Sequence, residues 1–340
     1  MSNTAVLKDR PADFVVRESL VVPLDGDQNR EQQYLVLRKS GYTTMEAIRL
    51  IAARAGVSTR DVTYGGLKDE DGITEQLVAV PHGVLANWSA AGPWVLEEGD
   101  RWLRLNHYGY GERPLQVGRL QGNGFQLVVR NLDPEQANRL AEQAKINLFF
   151  LNYHDVQRFG VPGGPKRTHE VGAAMLAGDW DRALKVLIEL RAPESPLAEA
   201  WTGAAKDFFC DLDPRNASFY LASHASAGWN QELGEVARRV GGETVRVEIE
   251  GVAFEYLTSI DRILAMLADT RELPRAKYTF DDGRISERGS PRPTVVQTVV
   301  SISPAEPDDH RAGRSKVGLN FFLPSGCYAT AAVRQLLTLR

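Results

Sequence analysis

The sequence predicts an α+β fold, in which a mixed-sheet domain is built from both ends of the chain and a largely helical insertion lies between them. Three observations predict it. The first third of the chain and its last forty or so residues carry apolar residues at the strand period. The stretch from about Asn152 to Pro274 carries mostly the helical period. Two Pro/Gly/Arg-rich pieces, "GVPGGPKRTHE" and "DDGRISERGSPRP", read as exposed loops in the middle. No internal repeat is visible.

"DFVVRE" and "QYLVLRK" alternate as strands. In "TTMEAIRLIAARAG", Thr43 and Glu46 have the spacing of a capping box. Met45, Ile48, Ala52 and Ala55 then form the expected buried stripe, and Gly56 ends the helix. "GFQLVVRNL" is a strand with Phe125, Leu127 and Val129 on one face. The next helix opens with Asp133 as its cap and Pro134 at its first position. "DWDRALKVLIEL" and "GWNQELGEVARRV" are helical, and "ETVRVEIEGV" is strand-like. "TVVQTVVSI" and "VGLNFFLP" return to sheet, and "SGCYATAAVRQLL" is a turn followed by a helix.

With 340 residues, 43% of them hydrophobic, the chain has enough apolar surface for a sizeable core and about two domains. Two cysteines, Cys210 and Cys327, argue against a disulfide framework and a cysteine-rich metal site and fit a reducing cytoplasm. The N-terminus shows no apolar signal-peptide core, and no apolar run reaches membrane-spanning length. The net charge of −4 does not by itself suggest nucleic acid, although a local basic stripe would suffice.

The most chemically loaded stretch is "YGGLKDEDGITEQ", Tyr64 to Gln76. As a calcium loop it fails, because Leu67 and Val78 stand where the first and the bidentate twelfth ligands belong. "GVPGGPKRT" fails as a phosphate loop, because Pro165 precedes Lys166 and Arg167 follows it. The two cations could instead meet a phosphate backbone or simply be solvated. The six histidines show no metal-ligand spacing, and "HASAG" lacks the first glycine of a nucleophile elbow. What is left is an acidic turn, which is either solvated or the home of one reactive carboxylate.

"YGGLKDEDGITEQ" resembles the catalytic motif of the TruD family of tRNA pseudouridine synthases, with Gly66, Lys68, Asp69, Thr74 and Gln76 in the matching places. "LKDRPADFVVRE" resembles the family's opening, with Lys8 and Phe14. "GNGFQLVVRNL" resembles its Gly-Asn-x-Phe strand, with Asn123 and Phe125. "NYHDVQRFGVPGG" resembles a further motif, with Tyr153, Gln157, Arg158 and Phe159, and "FFLPSGCYATAAVRQLL" places Tyr328 in an aromatic position. The resemblance implies a pseudouridine synthase catalytic domain over 1–148 and 303–340, with a TRUD insertion over 149–302.

It also implies isomerisation of a tRNA uridine, by family the one at position 13, with Asp69 catalytic and no cofactor or metal. Phe14, Phe125 and Tyr328 are then the aromatic candidates for holding a flipped base, and Asn123 for meeting the uracil edge. Lys8, Lys68 and Arg158 are the candidate cations for Asp69 or for phosphate. Lys166, Arg167, Arg311, Arg314 and Lys316 are expected to contact the RNA backbone, and Cys327 to pack. No membrane and no obligate protein partner is expected. Glu70 and Asp71 follow Asp69 where the family has basic residues, and His154 and Asp155 also depart from it. These acidic additions keep open a different RNA, a small uracil nucleotide or nucleoside, or an RNA-binding chaperone without turnover.

Overall fold

The computed structural model describes residues 5–24, 30–84, 92–160 and 164–340. The chain runs through β1 (Phe14–Ser19), β2 (Gln32–Ser40), α1 (Thr44–Ala55), β3 (Thr63–Tyr64), β4 (Ile73–Pro81), β5 (Trp94–Glu98), β6 (Arg101–Gly111) and β7 (Gly122–Leu132). It continues through α2 (Pro134–Glu142), β8 (Lys145–Leu151), α3 (Thr168–Leu176), α4 (Trp180–Glu189), α5 (Ser195–Glu199), α6 (Ala205–Asp211) and α7 (Pro214–Arg239). The remaining elements are β9 (Thr244–Ile249), β10 (Val252–Leu257), α8 (Ile260–Asp269), β11 (Glu272–Asp281), β12 (Arg284–Pro293), β13 (Val295–Ile302), β14 (Glu306–Pro307), β15 (Ser315–Pro324) and α9 (Ala329–Thr338). Val161, Pro162 and Gly163 of the "GVPGG" loop lie outside the described residues.

Two compact units result. One comprises Met1–Asn147 and Thr298–Gly326, the other Leu148–Gln297 and Cys327–Arg340. The sequence expectation kept 303–340 together, whereas the structure groups Cys327–Arg340, and with it α9, with the second unit. The physical reason lies in the contacts of α9. Gln335 Nε2 donates to the Leu257 carbonyl at 2.7 Å, and Thr330 Oγ1 donates to Asp155 at 2.6 Å.

In the first unit, a sheet runs in the order β5-β6-β2-β4-β1-β7-β15 and continues into β13 and β8, which straddle the division of the chain. β1 and β4 run parallel; β2 with β4 and β6, β5 with β6, and β7 with β1 and β15 run antiparallel. The capping box forms as expected: the Glu46 amide donates to Thr43 Oγ1 at 3.1 Å, and the Thr43 amide donates to Glu46 Oε2 at 2.7 Å. Gly56 ends α1 at φ 69°, a left-handed turn that glycine adopts without steric cost. The buried stripe of α1 is Ala47, Ile48, Ile51 and Ala52, with Met45 and Ala55 only partly covered. It packs on Leu35 and Leu37 of β2 and Val78 and Val80 of β4.

The second unit has a helical core in which Val171, Met175, Ala183, Leu187, Phe209, Tyr220 and Leu221 pack together. It also contains two hairpins, β9–β10 and β11–β12. The second hairpin corrects the loop reading of "DDGRISERGSPRP". Asp281 pairs with Arg284, so Asp282 and Gly283 form a two-residue turn, both at positive φ. That is the turn whose twist matches a hairpin, and Asp-Gly is its preferred pair.

Candidate active site

Strand pairing determines which side chains share a face of the sheet, because paired residues point the same way. One row reads Lys39 (β2), Thr74 (β4), Val16 (β1), Phe125 (β7) and Phe321 (β15). In the neighbouring row, Leu37 pairs with Gln76, Glu18 with Asn123, and Asn123 with Leu323. The face that carries α1 therefore also carries a lysine, a glutamine, a glutamate, an asparagine and two phenylalanines.

The loop between β3 and β4, which contains Asp69, is tied to this face. Lys39 is fully buried, and its ammonium donates to the carbonyls of Tyr42 at 2.8 Å, Asp69 at 2.9 Å and Lys68 at 3.4 Å. Burial pulls the Lys39 amine down to about 8, against the attraction of Asp69. Thr44, at the start of α1, accepts the Lys68 amide at 2.9 Å and donates to Gln76 Oε1 at 3.1 Å. Gln76 Nε2 donates to the Gly66 carbonyl at 3.0 Å. At Gly72 the loop passes so close to β1 that a Cβ would lie 2.4 Å from the Phe14 carbonyl oxygen. Fixed from below at so many points, the backbone presents the Asp69 side chain upward, 36% exposed.

Lys8 is the cation that meets Asp69, Nζ to Oδ2 at 2.8 Å. The sequence left Lys8, Lys68 and Arg158 open for this place. Lys68 is instead paired with Glu18 at 3.0 Å, both side chains buried, and the second oxygen of Glu18 accepts the Leu77 amide at 3.1 Å. The Lys8 ammonium also sits 4.4 Å from the centre of the Phe14 ring. Phe14 meets Phe125 edge-on at 6.2 Å, and Phe125 stacks on Phe321 at 5.5 Å. Two positions along β7, the side-chain oxygen of Asn123 is buried without a hydrogen-bond partner, as is the Thr74 hydroxyl. Buried polar atoms are seldom left unpaired, so the Asn123 oxygen offers an acceptor and the Thr74 hydroxyl a donor or an acceptor.

The arm bearing Lys8 is itself braced. Val6 and Arg130 exchange backbone hydrogen bonds at 3.0 Å. Asp9 is gripped by Arg311 at 2.7 Å and by His310 at 2.5 Å, which holds its carboxyl well below the usual range. Arg130, wholly buried, holds Asp13 at 2.6 Å, Asp308 at 2.9 Å and Asp309 at 2.7 Å. Lys316 also binds Asp309, at 2.6 Å. Arg311 and Lys316, expected on an RNA backbone, are thus ion-paired to their own chain. So are Lys166 with Glu250 at 3.1 Å and Arg167 with Glu170 at 2.6 Å.

Thus Lys8, Phe14, Asp69, Asn123 and Phe125 come together in the first unit, with Lys68 beside them. Arg158 and Tyr328 lie in the second unit, with His154 and Asp155. The negative charge expected from that last pair is offset. His154 is buried, and burial with three nearby arginines pushes its imidazole well below the usual range, so it is neutral. Asp155 is buried against Arg334 and Thr330. Glu70 and Asp71 form no ion pair among the described residues, so their charge remains near Asp69.

Sequence reading missed Lys39, Thr44, Glu18 and Phe321. Two of them had a signal. Lys39 continues the inward alternation Leu35, Leu37, and Phe321 continues Val317, Leu319. Among the described residues there is no cluster of three or more histidine, cysteine, aspartate or glutamate side chains able to hold a metal, and no helix is long and apolar enough to cross a membrane.

A family model described as tRNA pseudouridine synthase D (TruD) matches residues 3–226. The chain belongs to the TruD family. The TruD protein of Anaeromyxobacter sp. (strain Fw109-5), named tRNA pseudouridine synthase D, is 31% identical over 89% of this chain and 84% of its own length. One from Geobacter sulfurreducens, of the same name, is 34% identical over 60% of this chain but 47% of its own length. A Thermococcus sibiricus protein is 35% identical over 54% of this chain and 43% of its own length. The matches to these last two span about half of each relative. A crystal structure from Methanosarcina mazei, whose description names TruD, superposes with a TM-score of 0.58 at 17% identity, over 97% of this chain and 93% of that one. It shows that the α+β fold is shared.

Proposed function

We propose that this TruD-family chain is a cytoplasmic RNA pseudouridine synthase, that its substrate is a tRNA with uridine 13 as the target, and that Asp69 is the catalytic carboxylate. The observation that carries the reading is the Lys8–Asp69 ion pair, set beside an aromatic row and the unpaired Asn123 oxygen on a rigidly held loop. The relatives' names supply the RNA. The first unit is read as the catalytic domain and the second as the TRUD insertion.

The reaction breaks the bond between uracil N1 and ribose C1′ and makes one between C5 and C1′. N1 gains a proton and C5 loses one, so atoms and charge balance without an oxidant, reductant or nucleotide. A carboxylate against the sugar and base supplies the anion this exchange needs. The target uridine must leave its stack to reach it. Phe125, already stacked on Phe321, gives an aromatic neighbour for the flipped base. The Asn123 oxygen is an acceptor for uracil N3–H, and its amide nitrogen a donor to a ring carbonyl. Lys8 orients Asp69 and lies where negative charge gathers on the departing base.

The test is tritium release from C5-labelled uridine in a tRNA. Asp69→Asn is expected to lower it by at least about a thousandfold while RNA affinity is kept. Undiminished release by that variant would refute the assignment of Asp69. Release from labelled free nucleotide but not from tRNA would refute the substrate.

A further inference from the structure

In the second unit, three arginines crowd around His154. Arg292 on β12 faces Leu273 across the hairpin, and Arg275 is two residues along from Leu273 on β11. Arg275 and Arg292 are therefore diagonal neighbours on one face, within reach of each other's long side chains. Arg292 is 9% exposed, donates to the carbonyl and side-chain oxygens of Asn152 at 3.1 and 2.8 Å, and lies 5.3 Å from the Trp229 ring. Asn152 is held against the end of the same strand, its side-chain amide donating to the Pro293 carbonyl at 2.9 Å. A few residues on, the turn after Asn152 delivers Arg158. His154, 1% exposed, meets Tyr328 edge-on at 5.8 Å and leaves both ring nitrogens without a partner.

The balance of charge here is unusual. No carboxylate pairs with Arg158 or Arg275 among the described residues, and the Nε of each is buried without a hydrogen bond. Burial, and after it repulsion from neighbouring arginines, lowers both Arg275 and Arg292, the latter to about 10. The nearest carboxylate in sequence, Asp155, is already taken by Arg334 and Thr330. Clustered guanidinium groups with unused donors, held on a hairpin and an asparagine-braced turn, are costly unless an anion completes them. Planar guanidinium forks match phosphate oxygens in particular.

We propose that Arg158, Arg275 and Arg292, with Tyr328 and His154 at their edge, form a binding site for a backbone phosphate of the RNA substrate. This rests on the RNA reading above and deepens it. It also gives the basic footprint that Lys166, Arg167, Arg311 and Lys316, all ion-paired, do not.

The experiment compares wild type with Arg275→Gln and Arg158→Gln in the full chain, using a tRNA transcript, inorganic phosphate and thermal melting. Each variant is expected to bind the transcript about tenfold or more weakly. The slope of log affinity against log salt should fall by about 0.7 to 0.9. Because each change removes a repelling charge, the melting temperature should stay the same or rise, which a purely structural arginine would not give. Inorganic phosphate, against chloride at equal ionic strength, should compete with RNA and raise the wild-type melting temperature more than that of either variant.

Unchanged RNA affinity and slope in both variants overturns the proposal. So does a lowered melting temperature with a binding loss no larger than the unfolded fraction explains. A phosphate effect on melting without any change in RNA binding assigns the site to free phosphate and overturns the RNA source. Binding is read without turnover, so failure of C5 release in wild type would refute the enzymatic reading and leave this result standing.

Discussion

Lys8 adopts φ 60°, in the left-handed region that a side-chain-bearing residue enters only at a cost. Such strain persists where the surroundings over-determine it. Here the backbone pair of Val6 and Arg130 lies on one side and the clamp on Asp9 on the other. The conformation turns the ammonium toward Asp69 and over Phe14. Lys8→Met keeps the length of the stem and removes the charge. It should lower the rate of C5 tritium release by about a hundredfold, the scale of losing one oriented electrostatic group. RNA affinity should fall far less, since one cation among several is lost. An equal loss in both would make Lys8 a phosphate ligand instead. Of the three cations that sequence matching left open, none could be chosen from the motif alone, because the pairing depends on a left-handed turn and on a strand pair absent from the local pattern.

At the scale of elements, the loop that carries Asp69 is ordered by the strand beneath it, and Lys39 is the principal tie. Its amine is lowered from 10.5 to about 8, so at neutral pH the folded protein holds a proton that burial disfavours. Between about pH 8 and 10.5 the unfolded chain binds more protons at this site than the folded one. Stability contributed here therefore rises with pH across that window. Urea midpoints from pH 7.5 to 10 should show this upward component in wild type and lose it in Lys39→Met. The helix α1 was legible down to its cap, since Thr43, Glu46 and Gly56 are local signals. The hairpin β11–β12 was not recognised, because polar residues on its exposed face hid the alternation, although Asp-Gly marked its turn.

Across the whole molecule, the fold class was legible because strand and helix periods segregate along the chain. The site was legible as a set of motifs but not as an arrangement. Rows such as Lys39, Thr74, Val16, Phe125 and Phe321 come from four different strand pairings, and no spacing within one segment encodes them. The same holds for the buried Arg130 cluster. Arg130→Met would leave buried Asp13 to Arg10 alone and buried Asp308 to two backbone amides and a distant Arg311, at a cost of about 3 kcal/mol read from urea unfolding. Asp308 and Asp309 are held below their usual 3.8. Their contribution is present above about pH 4 and is lost as pH falls through the lowered values, so wild type should destabilise steeply in acid and Arg130→Met should show a shallower dependence.

The clamp on Lys8 has a temporal consequence. Asp9 and Arg311 are 302 residues apart in the chain, and Asp13 and Arg130 are 117 apart. Synthesis runs from the N-terminus, so the residues that place the ammonium against Asp69 leave the ribosome 302 residues before the Arg311 that braces them. The clamp on Asp9 that holds the Lys8–Asp69 pair cannot close before Arg311 has emerged. A nascent chain that already displays the "YGGLKDEDGITEQ" loop would carry an undirected carboxylate, and competence would arrive in one late step, when the segment around Arg311 folds back onto the beginning.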